Sequence, residues 1–387
     1  MPSRKRIVVL HLAGRYPLGG IGWQAIHYVL GLQQLGHDVH YVEDSGAYPY
    51  DPRVKSVVED SANSVAFLDD VMTRVGLGDR WTYVDPVTGV HHGLSREGLD
   101  RLYRDADAIF NVCAATRLRD EHLQCPIRVY VETDPVFEQI RVAEGDRGAT
   151  MALEDHTHHF TYGENLGQPD CPIPLEKFAW RATRPPVIPE LWETPFDPSA
   201  ERFTTVATWR NAGKDIHFRG QTYLWSKHQN FLRMIDLPTR TRQPIEMALE
   251  VTDPETRGLL TRNGWTLADA YQVSRDITTY RQHIQRSRGE FTVAKDLVAR
   301  TNSGWFSDRS VCYLAAGKPV VTQDTGFGKY VPEGLGLLAF DTVEGAAASL
   351  DEVNRDYERH SRAARRIARQ HFAADRVLGR LCREADL

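Results

Sequence analysis

Cysteine is scarce in this sequence, with five residues among 387. The number is odd, the spacings are long, and no Cys-x-x-Cys pair occurs. A disulfide-stapled secreted fold and a cysteine-ligated zinc site both need closer and more regular cysteines, so neither is predicted. A reduced compartment is the simplest interpretation, and we expect a cytoplasmic protein.

Long apolar runs are also missing. The basic start Met1–Arg6 is followed by the apolar run Ile7–Leu10, which His11 interrupts. This run is too short for the apolar region of a signal peptide. No stretch approaches the roughly 20 apolar residues of a membrane-spanning helix. We therefore expect neither a signal peptide nor a transmembrane segment.

Positive charge is not in excess. The sequence has 47 Lys and Arg against 52 Asp and Glu, which gives a net charge of -5. Proteins that bind nucleic acid or anionic membranes usually carry a basic field, and the arginines here are spread among acidic residues. From the charge we expect no nucleic-acid partner.

A histidine cluster, His156, His158 and His159, raises the question of a metal site. Neighbouring residues on one strand point to opposite faces, so His158 and His159 cannot both reach one ion. No cysteine or carboxylate stands at the spacing of a zinc site. We therefore predict no metal ligands here.

The chain does contain enough apolar material for a large core, with 41% hydrophobic residues. A length of 387 residues predicts two domains. Apolar runs, loops and helical patterns alternate in both halves, which is typical of parallel sheets with helices on both faces. The predicted fold class is α/β, with two doubly wound parallel-sheet domains.

The predicted strands are short apolar runs bounded by turn residues. They lie at Ile7–Leu10, Val39–Val42, Ala108–Val112, Ile127–Val131, His158–Tyr162, Phe203–Thr208, Ile245–Leu249, Glu290–Val293, Pro319–Thr322 and Leu337–Phe340. Helices are predicted at Gln221–Ile235, Ile277–Arg286, Ser307–Leu314 and through most of the tail from Val343.

A proline-rich stretch at 169–198 predicts the linker between the two domains. We assign residues 1–195 to the first domain and 196–371 to the second. The final helix, 372–387, is expected to pack back on the first domain, because its apolar residues are spaced for one face.

A glycine-rich loop, with Gly19, Gly20 and Gly22, follows the first predicted strand. Glycine lets backbone approach a ligand closely or adopt a positive φ. The spacing is not the Gly-x-Gly-x-x-Gly of dinucleotide-binding proteins, which disfavours a dehydrogenase. Two interpretations stay open: a loop that faces a ligand cleft, or a tight strand-to-helix turn.

The segment Thr301–Val321 predicts a loop, a capped helix, a glycine stop and a buried strand. Ser307 or Asp308 can cap the helix. The free N–H groups of its first turn, near Ser310, then form a candidate pyrophosphate site. Arg309 either donates to a phosphate or pairs with a nearby carboxylate. A plain capped helix packed on a sheet is the alternative.

This segment resembles a known family. Tyr313–Val321 is similar to the Ala-x-Gly-x-Pro-Val-Val end of the nucleotide-binding helix of GT-B glycosyltransferases. Thr322–Phe327 resembles their donor-sugar loop, Gly334–Asp341 their next strand, and the tail their final crossing helices. The resemblance implies two Rossmann-like domains facing a cleft, and transfer of a sugar from a UDP- or GDP-linked donor to a small-molecule or glycan acceptor.

The resemblance also implies the donor-binding residues, with no bound metal and no cofactor beyond the nucleotide-sugar substrate. In the family an arginine and a lysine near the start of the second domain neutralise the donor phosphates; Arg210 and Lys214 stand there, and a solvated strand-to-helix loop is the alternative. Phe291, at the end of a short predicted strand, either packs on the base or belongs to the core. The donor-binding candidates in this sequence are Arg210, Lys214, Phe291, Ser303, Gly304, Ser307, Asp308, Arg309, Ser310, Asp324, Thr325 and Gly326.

A catalytic base for the acceptor hydroxyl is expected where first-domain strands end, since strand carboxyl ends face the ligand crevice in open α/β sheets. Asp134 and Glu132 end one strand, and His11 ends another. Asp134 precedes a proline and is equally explained as a turn residue. His11 is equally explained as a buried core histidine.

One departure from the resemblance affects the chemistry. Many retaining members carry two glutamates eight positions apart, where this sequence has Gly304 and Cys312. The stereochemical outcome and the acid that holds the donor ribose are therefore left open. A nucleotide-sugar epimerase on the same fold and a catalytically inactive scaffold are the alternative functions.

Overall fold

The computed structural model describes residues 4–211, 213–251 and 253–387. Two separate sheets carry the fold. The first has the strand order β10-β9-β8-β7-β1-β2-β5-β6, and all its strands except β6 are parallel to their neighbours. Its strands are β1 (Arg6–Leu10), β2 (Asp38–Glu43), β5 (Trp81–Val84), β6 (His91–His92), β7 (Ala108–Val112), β8 (Ile127–Glu132), β9 (His158–Thr161) and β10 (Trp180–Ala182).

The second sheet is wholly parallel, with the order β15-β14-β11-β16-β17-β18. Its strands are β11 (Phe203–Thr208), β14 (Ile245–Glu250), β15 (Thr266–Ala268), β16 (Gly289–Thr292), β17 (Val320–Gln323) and β18 (Leu337–Phe340). Two small antiparallel hairpins lie outside the sheets, β3 (Tyr50–Asp51) with β4 (Ser56–Val57) and β12 (Ile216–Phe218) with β13 (Gln221–Tyr223).

Helices connect the strands. Those of the first half are α1 (Gly19–Gln34), α2 (Ala62–Arg74), α3 (Arg96–Asp105), α4 (Asp120–Leu123), α5 (Phe137–Ala143) and α6 (Arg147–Glu154). Those of the second half are α7 (His228–Arg233), α8 (Leu237–Arg240), α9 (Pro254–Arg262), α10 (Ala270–Ser274), α11 (Ile277–Arg286), α12 (Asp296–Arg300), α13 (Asp308–Ala315), α14 (Val343–Arg355), α15 (Tyr357–Ile367) and α16 (Ala374–Glu384). None of the described helices is long and apolar enough to cross a membrane.

The predicted α/β class with two doubly wound parallel sheets is confirmed. The apolar run of β1 lies between β2 and β7, and Ile7, Val8, Val9 and Leu10 are fully buried. A central parallel strand is covered on both faces by helices, which explains why its sequence is continuously apolar.

The helix predicted over Gln221–Ile235 is wrong. Its first three residues are strand β13, which pairs with β12 through a turn at Arg219 and Gly220, both at positive φ. Helix α7 begins only at His228. The helical pattern of apolar residues arose by chance here, because Tyr223 and Trp225 pack on the first domain rather than along a helix face.

The proline-rich stretch is only partly a linker. Strand β10, at Trp180–Ala182, lies within it and pairs in parallel with β9. The chain then passes to the second sheet, which starts at Phe203. We propose the domain boundary at 195/196, between the last strand of the first sheet and the first strand of the second.

The tail crosses back to the first sheet. Val187 and Ala373 form an isolated parallel bridge, and α16 follows directly. Leu378 and Leu381 are buried in the core of the first sheet. A Cβ atom on Gly31 of α1 would lie 2.6 Å from Leu378 Cδ1, so this glycine lets the two helices approach closely.

Two glycines bring α1 equally close to α11 of the second half. A Cβ atom on Gly19 would lie 2.4 Å from the carbonyl oxygen of Asp276, and one on Gly22 would lie 2.9 Å from Ile277. The indole N–H of Trp23 donates to the carbonyl of Ile277 at 2.8 Å. The α1–α11 contact therefore joins the two sheets and depends on the absence of side chains at two positions.

The Gly19→Ala variant should lose about 1–3 kcal/mol of unfolding free energy, since the new methyl group meets backbone that cannot move aside. Gly20→Ala is the matched control, because its nearest neighbours are ring atoms of Tyr280 at 3.4 Å. Chemical denaturation of both variants measures the difference. Equal stability of the two would show that the close approach of α1 to α11 is not under steric constraint.

Glu132, the last residue of β8, is buried and hydrogen-bonded to neighbouring side chains of its own domain. Glu132 Oε2 accepts hydrogen bonds from Gln139 Nε2 at 2.8 Å and from the Thr161 hydroxyl at 2.6 Å, and within the described chain Oε1 has no partner. Burial raises the pKa of Glu132 to about 8. The folded state therefore keeps a proton that the unfolded chain releases near pH 4.5.

The unfolding free energy should consequently fall as pH rises from about 4.5 to about 8. In Glu132→Gln this fall should shrink, by on the order of a few kcal/mol across that range, because the variant has no charge to bury. Melting temperatures at pH 5 and pH 8 test this, with the exposed Glu154→Gln as control. An unchanged pH dependence in Glu132→Gln would mean that Glu132 is already ionised in the folded protein.

Candidate active-site cleft

A cleft of about 490 Å³ separates the two sheets. The first-domain wall consists of the start of α1 with Gly20 and Gln24, the β3–β4 hairpin, and Asp134 after β8. The second-domain wall consists of the carboxyl ends of β11 and β14, the start of α13, and the residues around α10. The cleft thus lies where open α/β sheets bind ligands.

Four cationic side chains of the second domain border this cleft: Lys227, Arg257, Lys295 and Arg309. Arg257 is exposed, whereas the charges of Lys295 and Arg309 both act on Lys227. Lys227 immediately precedes α7, Lys295 immediately precedes α12, and Arg309 is in the first turn of α13. Three loops of one sheet edge therefore concentrate positive charge at one point. An anion bound between them would be stabilised strongly, since the surroundings are shielded from water.

Lys227 is the most confined of the three. The residue is 7% exposed and makes no ion pair with any described residue. Burial, followed by the positive charge of Arg309, holds the pKa of Lys227 well below its usual range. A buried ammonium without a partner is costly, so this position favours an anionic ligand that would restore its charge.

Arg309 is fixed by its own domain. Its Nε donates to the buried Glu290, Nη1 donates to the carbonyl of Val206 at 3.0 Å, and Nη2 donates to the Thr292 hydroxyl at 2.7 Å. The carboxylate pairing left open by the sequence is therefore present. The guanidinium still borders the cleft, in one fixed orientation.

Lys295 connects the two domains. Its ammonium lies 2.7 Å from Asp134 Oδ1 and 3.8 Å from the ring centre of Trp225. Of the three base candidates, Asp134 is the one that borders the cleft. Its Oδ1 already accepts a hydrogen bond from Lys295.

A second carboxylate, Asp308, faces the first domain. Tyr162 donates its hydroxyl to Asp308 Oδ1 at 3.4 Å, and the Gln24 side chain lies against the same carboxylate. No described cation forms an ion pair with it. Burial, with a smaller contribution from the charge of Asp134, raises the pKa of Asp308 to about 6. Asp308 can therefore take up a proton near pH 6.

The start of α13 is open to the cleft. Ser307 occupies the N-cap position but its side chain makes no capping hydrogen bond, contrary to the predicted cap. Its hydroxyl borders the cleft together with Asp308 and Arg309. Ser310 is buried behind them, and among the described residues nothing hydrogen-bonds its hydroxyl. The first turn of α13 faces the cleft, and its use as an anion site stays a prediction.

The other small residues of the motif lie in a contact between the domains, outside the cleft lining. A Cβ atom on Gly304 would lie 2.5 Å from the backbone nitrogen of Asn165, which donates to the carbonyl of Ser303 at 3.0 Å. Thr325 and Gly326 continue this packing, and Asp324 Oδ1 accepts from the Gly326 nitrogen at 2.8 Å. Close packing explains the small residues here.

The predicted phosphate pair Arg210 and Lys214 is exposed and does not border the cleft. The Lys214 ammonium lies 4.7 Å from the ring centre of Trp225 and 5.6 Å from that of Phe137. Sequence reasoning missed Lys227 and Lys295. The available signal was their position just before a helix of the second domain, where strand-to-helix loops meet the ligand edge.

Three further candidates lie away from the cleft. Phe291 is fully buried and stacks on Phe340 at 5.4 Å between ring centres, so its ring is closed to a bound base. Glu132 is the buried last residue of β8 and does not border the cleft. His11 is buried behind Gln24, with its Nε2 3.0 Å from Gln24 Oε1, and burial lowers the pKa of His11 to about 4. His11 is thus neutral at pH 7 and supports Gln24.

The three glycines of the predicted loop lie at the start of helix α1 rather than in a loop or a tight turn. Gly20 borders the cleft, whereas Gly19 and Gly22 permit the close contact with α11. One group of possible metal ligands also occurs within the described residues: Asp44, Glu121 and His122. Asp44 Oδ2 already accepts hydrogen bonds from Arg119 at 2.6 Å and from Tyr103 at 2.7 Å. These contacts explain the group as an ion pair around a buried carboxylate.

No protein-family model matches this chain, and no curated protein matches its sequence. Solved structures do match. An α-glucosyltransferase in complex with UDP and a 13-mer DNA is 10% identical, with 100% of both chains covered and a TM-score of 0.57. Anabaena HepE in complex with UDP and glucose is 13% identical, covering 99% of this chain and 100% of that one, with a TM-score of 0.55.

A sucrose-phosphate synthase from Thermosynechococcus elongatus is 12% identical, with 98% of this chain and 99% of that one covered and a TM-score of 0.55. Identities this low establish the architecture and leave activity to be argued from the site.

The α-glucosyltransferase also corrects one expectation. It has been crystallised with UDP and DNA in several forms. The expectation that net charge excludes a nucleic-acid partner is therefore wrong. Net charge is a sum over the whole chain, and it does not describe the local charge of a binding surface.

The likeness covers 98% or more of this chain in each of the three structures. These similarities, together with the two parallel sheets, show that the chain has the GT-B fold of these glycosyltransferases: two Rossmann-like domains that face a common cleft.

Proposed function

We propose that this chain is a glycosyltransferase of the hexosyltransferase class, which moves a sugar from a UDP- or GDP-linked donor to an acceptor hydroxyl. One observation carries the proposal. Lys227, Lys295 and Arg309 surround the start of α13 on one side of the cleft, and the carboxylates Asp134 and Asp308 border the same cavity.

The cations suit the leaving group of such a reaction. When the bond from sugar to phosphate breaks, negative charge grows on the nucleoside diphosphate, and fixed positive charge lowers the barrier to that step. Arg309 is held rigidly by Glu290 and Thr292, so it needs little reorganisation during the reaction. The free N–H groups of α13 add a second source of positive potential.

The carboxylates suit the acceptor side. A general base works best when its pKa is near the working pH, and the pKa of Asp308 is raised to about 6. Asp308 is directed toward Gln24 and Tyr162 of the first domain, away from the cations. We assign it the acceptor proton. Asp134 holds Lys295 in position for the phosphates.

Incubation with UDP- and GDP-sugars separates this function from its alternatives. A transferase should convert donor only slowly alone and rapidly when the right acceptor is present. Epimerisation of the sugar without acceptor would indicate the epimerase, and no turnover with any donor would indicate an inactive scaffold. Because a similar structure holds DNA, the acceptor panel should contain hydroxymethyl-bearing duplex DNA beside glycans and small alcohols.

Lys227→Ala should lower kcat/KM for the donor by about 100-fold, since it removes a confined charge from the leaving group. Arg210→Ala is the informative comparison, because Arg210 is exposed outside the cleft and should keep near wild-type kcat/KM. Steady-state kinetics of both variants decides between the two positions. The reverse ranking would move the phosphate site to Arg210.

The pH dependence tests Asp308. As a base it must be ionised, so kcat/KM should rise with pH and level off above about 6. Asp308→Asn should lose at least about 100-fold in kcat/KM and also lose this rise. Donor affinity of the variant, measured by calorimetry, should stay close to wild type. A variant that keeps the same pH profile would exclude Asp308 as the base.

A further inference from the structure

Just after the β12–β13 hairpin stands an aromatic side chain that the proposed reaction has not used. Trp225 follows β13 by two residues, is buried, and lies outside the lining of the cleft. We propose that Trp225 is a positioning residue: docked on the first domain, its indole holds the Lys295 ammonium where the leaving phosphates bind. The inference rests on the proposed function, which puts those phosphates beside Lys295.

A cation–π contact joins the two side chains. The Lys295 ammonium lies 3.8 Å from the centre of the Trp225 ring, and 13% of the Lys295 side chain is exposed. Such a contact is stronger when the cation is withdrawn from water, as it is here. Asp134 Oδ1 lies 2.7 Å from the same ammonium. The ring and the carboxylate together therefore fix a charge that a flexible four-carbon stem would otherwise leave mobile.

The backbone next to the indole is bonded to the backbone that carries the lysine. Two backbone hydrogen bonds, of 3.2 and 3.1 Å, join the segments 224–226 and 295–297. In addition, the Leu224 nitrogen donates to Asp296 Oδ2 at 3.1 Å. These bonds hold the Cα atom of Lys295 beside the indole, but they do not select a rotamer of its side chain. That selection comes from the aromatic face.

The first domain holds the other edge of the indole. Phe137, at the start of α5, lies 5.5 Å from Trp225 between ring centres, edge to face. Val136 precedes it and is fully buried in the same apolar cluster as Trp225, at a φ of 87° that is rare for a β-branched residue. Strain of this kind persists only where the surrounding packing over-determines the backbone. The turn is therefore held firmly, and with it Asp134, two residues before Val136.

The position of Lys295 is consequently set from both domains. Its ammonium lies between a ring that is docked on the first domain and a carboxylate that belongs to the first domain. A second cation, Lys214, lies 4.7 Å from the Trp225 ring, but it is exposed and does not border the cleft. Any effect of the ring on a bound anion must therefore act through Lys295.

Calorimetric titration with inorganic pyrophosphate, UDP and GDP tests this. Trp225→Met keeps much of the side-chain volume but removes the aromatic face, so it should weaken pyrophosphate binding about tenfold. Trp225→Phe keeps an aromatic face and should stay within about threefold of wild type. Tyr223→Met is the matched control. Tyr223 lies in the same apolar cluster, and its ring carries Arg300 at 4.6 Å, outside the cleft, so pyrophosphate affinity should stay unchanged.

A double-mutant cycle separates positioning from plain packing. In the Lys295→Ala background, Trp225→Met should cost no further pyrophosphate affinity, because the ring has no ammonium left to hold. A loss through general loosening of the hairpin would persist in that background. Melting temperatures establish that each variant is folded, and Trp225→Leu takes the place of Trp225→Met if the latter is not.

Three results would overturn the inference while the proposed function stands. They are wild-type pyrophosphate affinity in Trp225→Met, an equal loss in Tyr223→Met, and an undiminished effect of Trp225→Met in the Lys295→Ala background. Tighter binding by Trp225→Met would also count against it, since the ring would then compete with the anion for Lys295. Failure of wild type to bind pyrophosphate or either nucleoside diphosphate would overturn both the inference and the proposed function.

Discussion

The close contact between α1 and α11 is the constraint on which the cleft depends. Gly19 and Gly22 let the two helices approach until backbone meets side chain, and Trp23 fixes the approach with a hydrogen bond to Ile277. This contact, with the crossing of α16 back to α1, sets the distance between the two sheets.

Charge is distributed unequally across the cleft. The second domain contributes Lys227, Lys295 and Arg309, and a buried glutamate compensates only one of them within that domain. The first domain compensates a second through Asp134. The third, Lys227, stays uncompensated in a region shielded from water, where electrostatic interactions are strong. The site therefore favours a ligand that brings negative charge with it.

The motif around α13 shows how far a local pattern reaches. The helix, its glycine stop and the following buried strand form where predicted, because capping, apolar spacing and proline act over a few residues. The contacts of the motif's side chains, by comparison, are not set by these local effects. Gly304 is small because Asn165 of the first domain approaches it, and Gly326 is small because Asn302 of its own domain does. Phe291 is a core residue because strands β16 and β18 place its ring against Phe340.

The sequence by itself determined the α/β class, most strands, the helix α13 and the crossing tail. Buried parallel strands and helices have local sequence patterns, namely short apolar runs, helical apolar spacing and flanking turn residues. It also determined that Asp134, Asp308 and Arg309 belong near a strand or helix end. Only the tertiary structure decided which lysines reach the cleft, that Glu132 and His11 are buried behind it, and that Asp134 pairs with Lys295. Those facts depend on contacts between residues as many as 161 positions apart, whose pairing is set by the packing of two sheets and has no signature in local sequence.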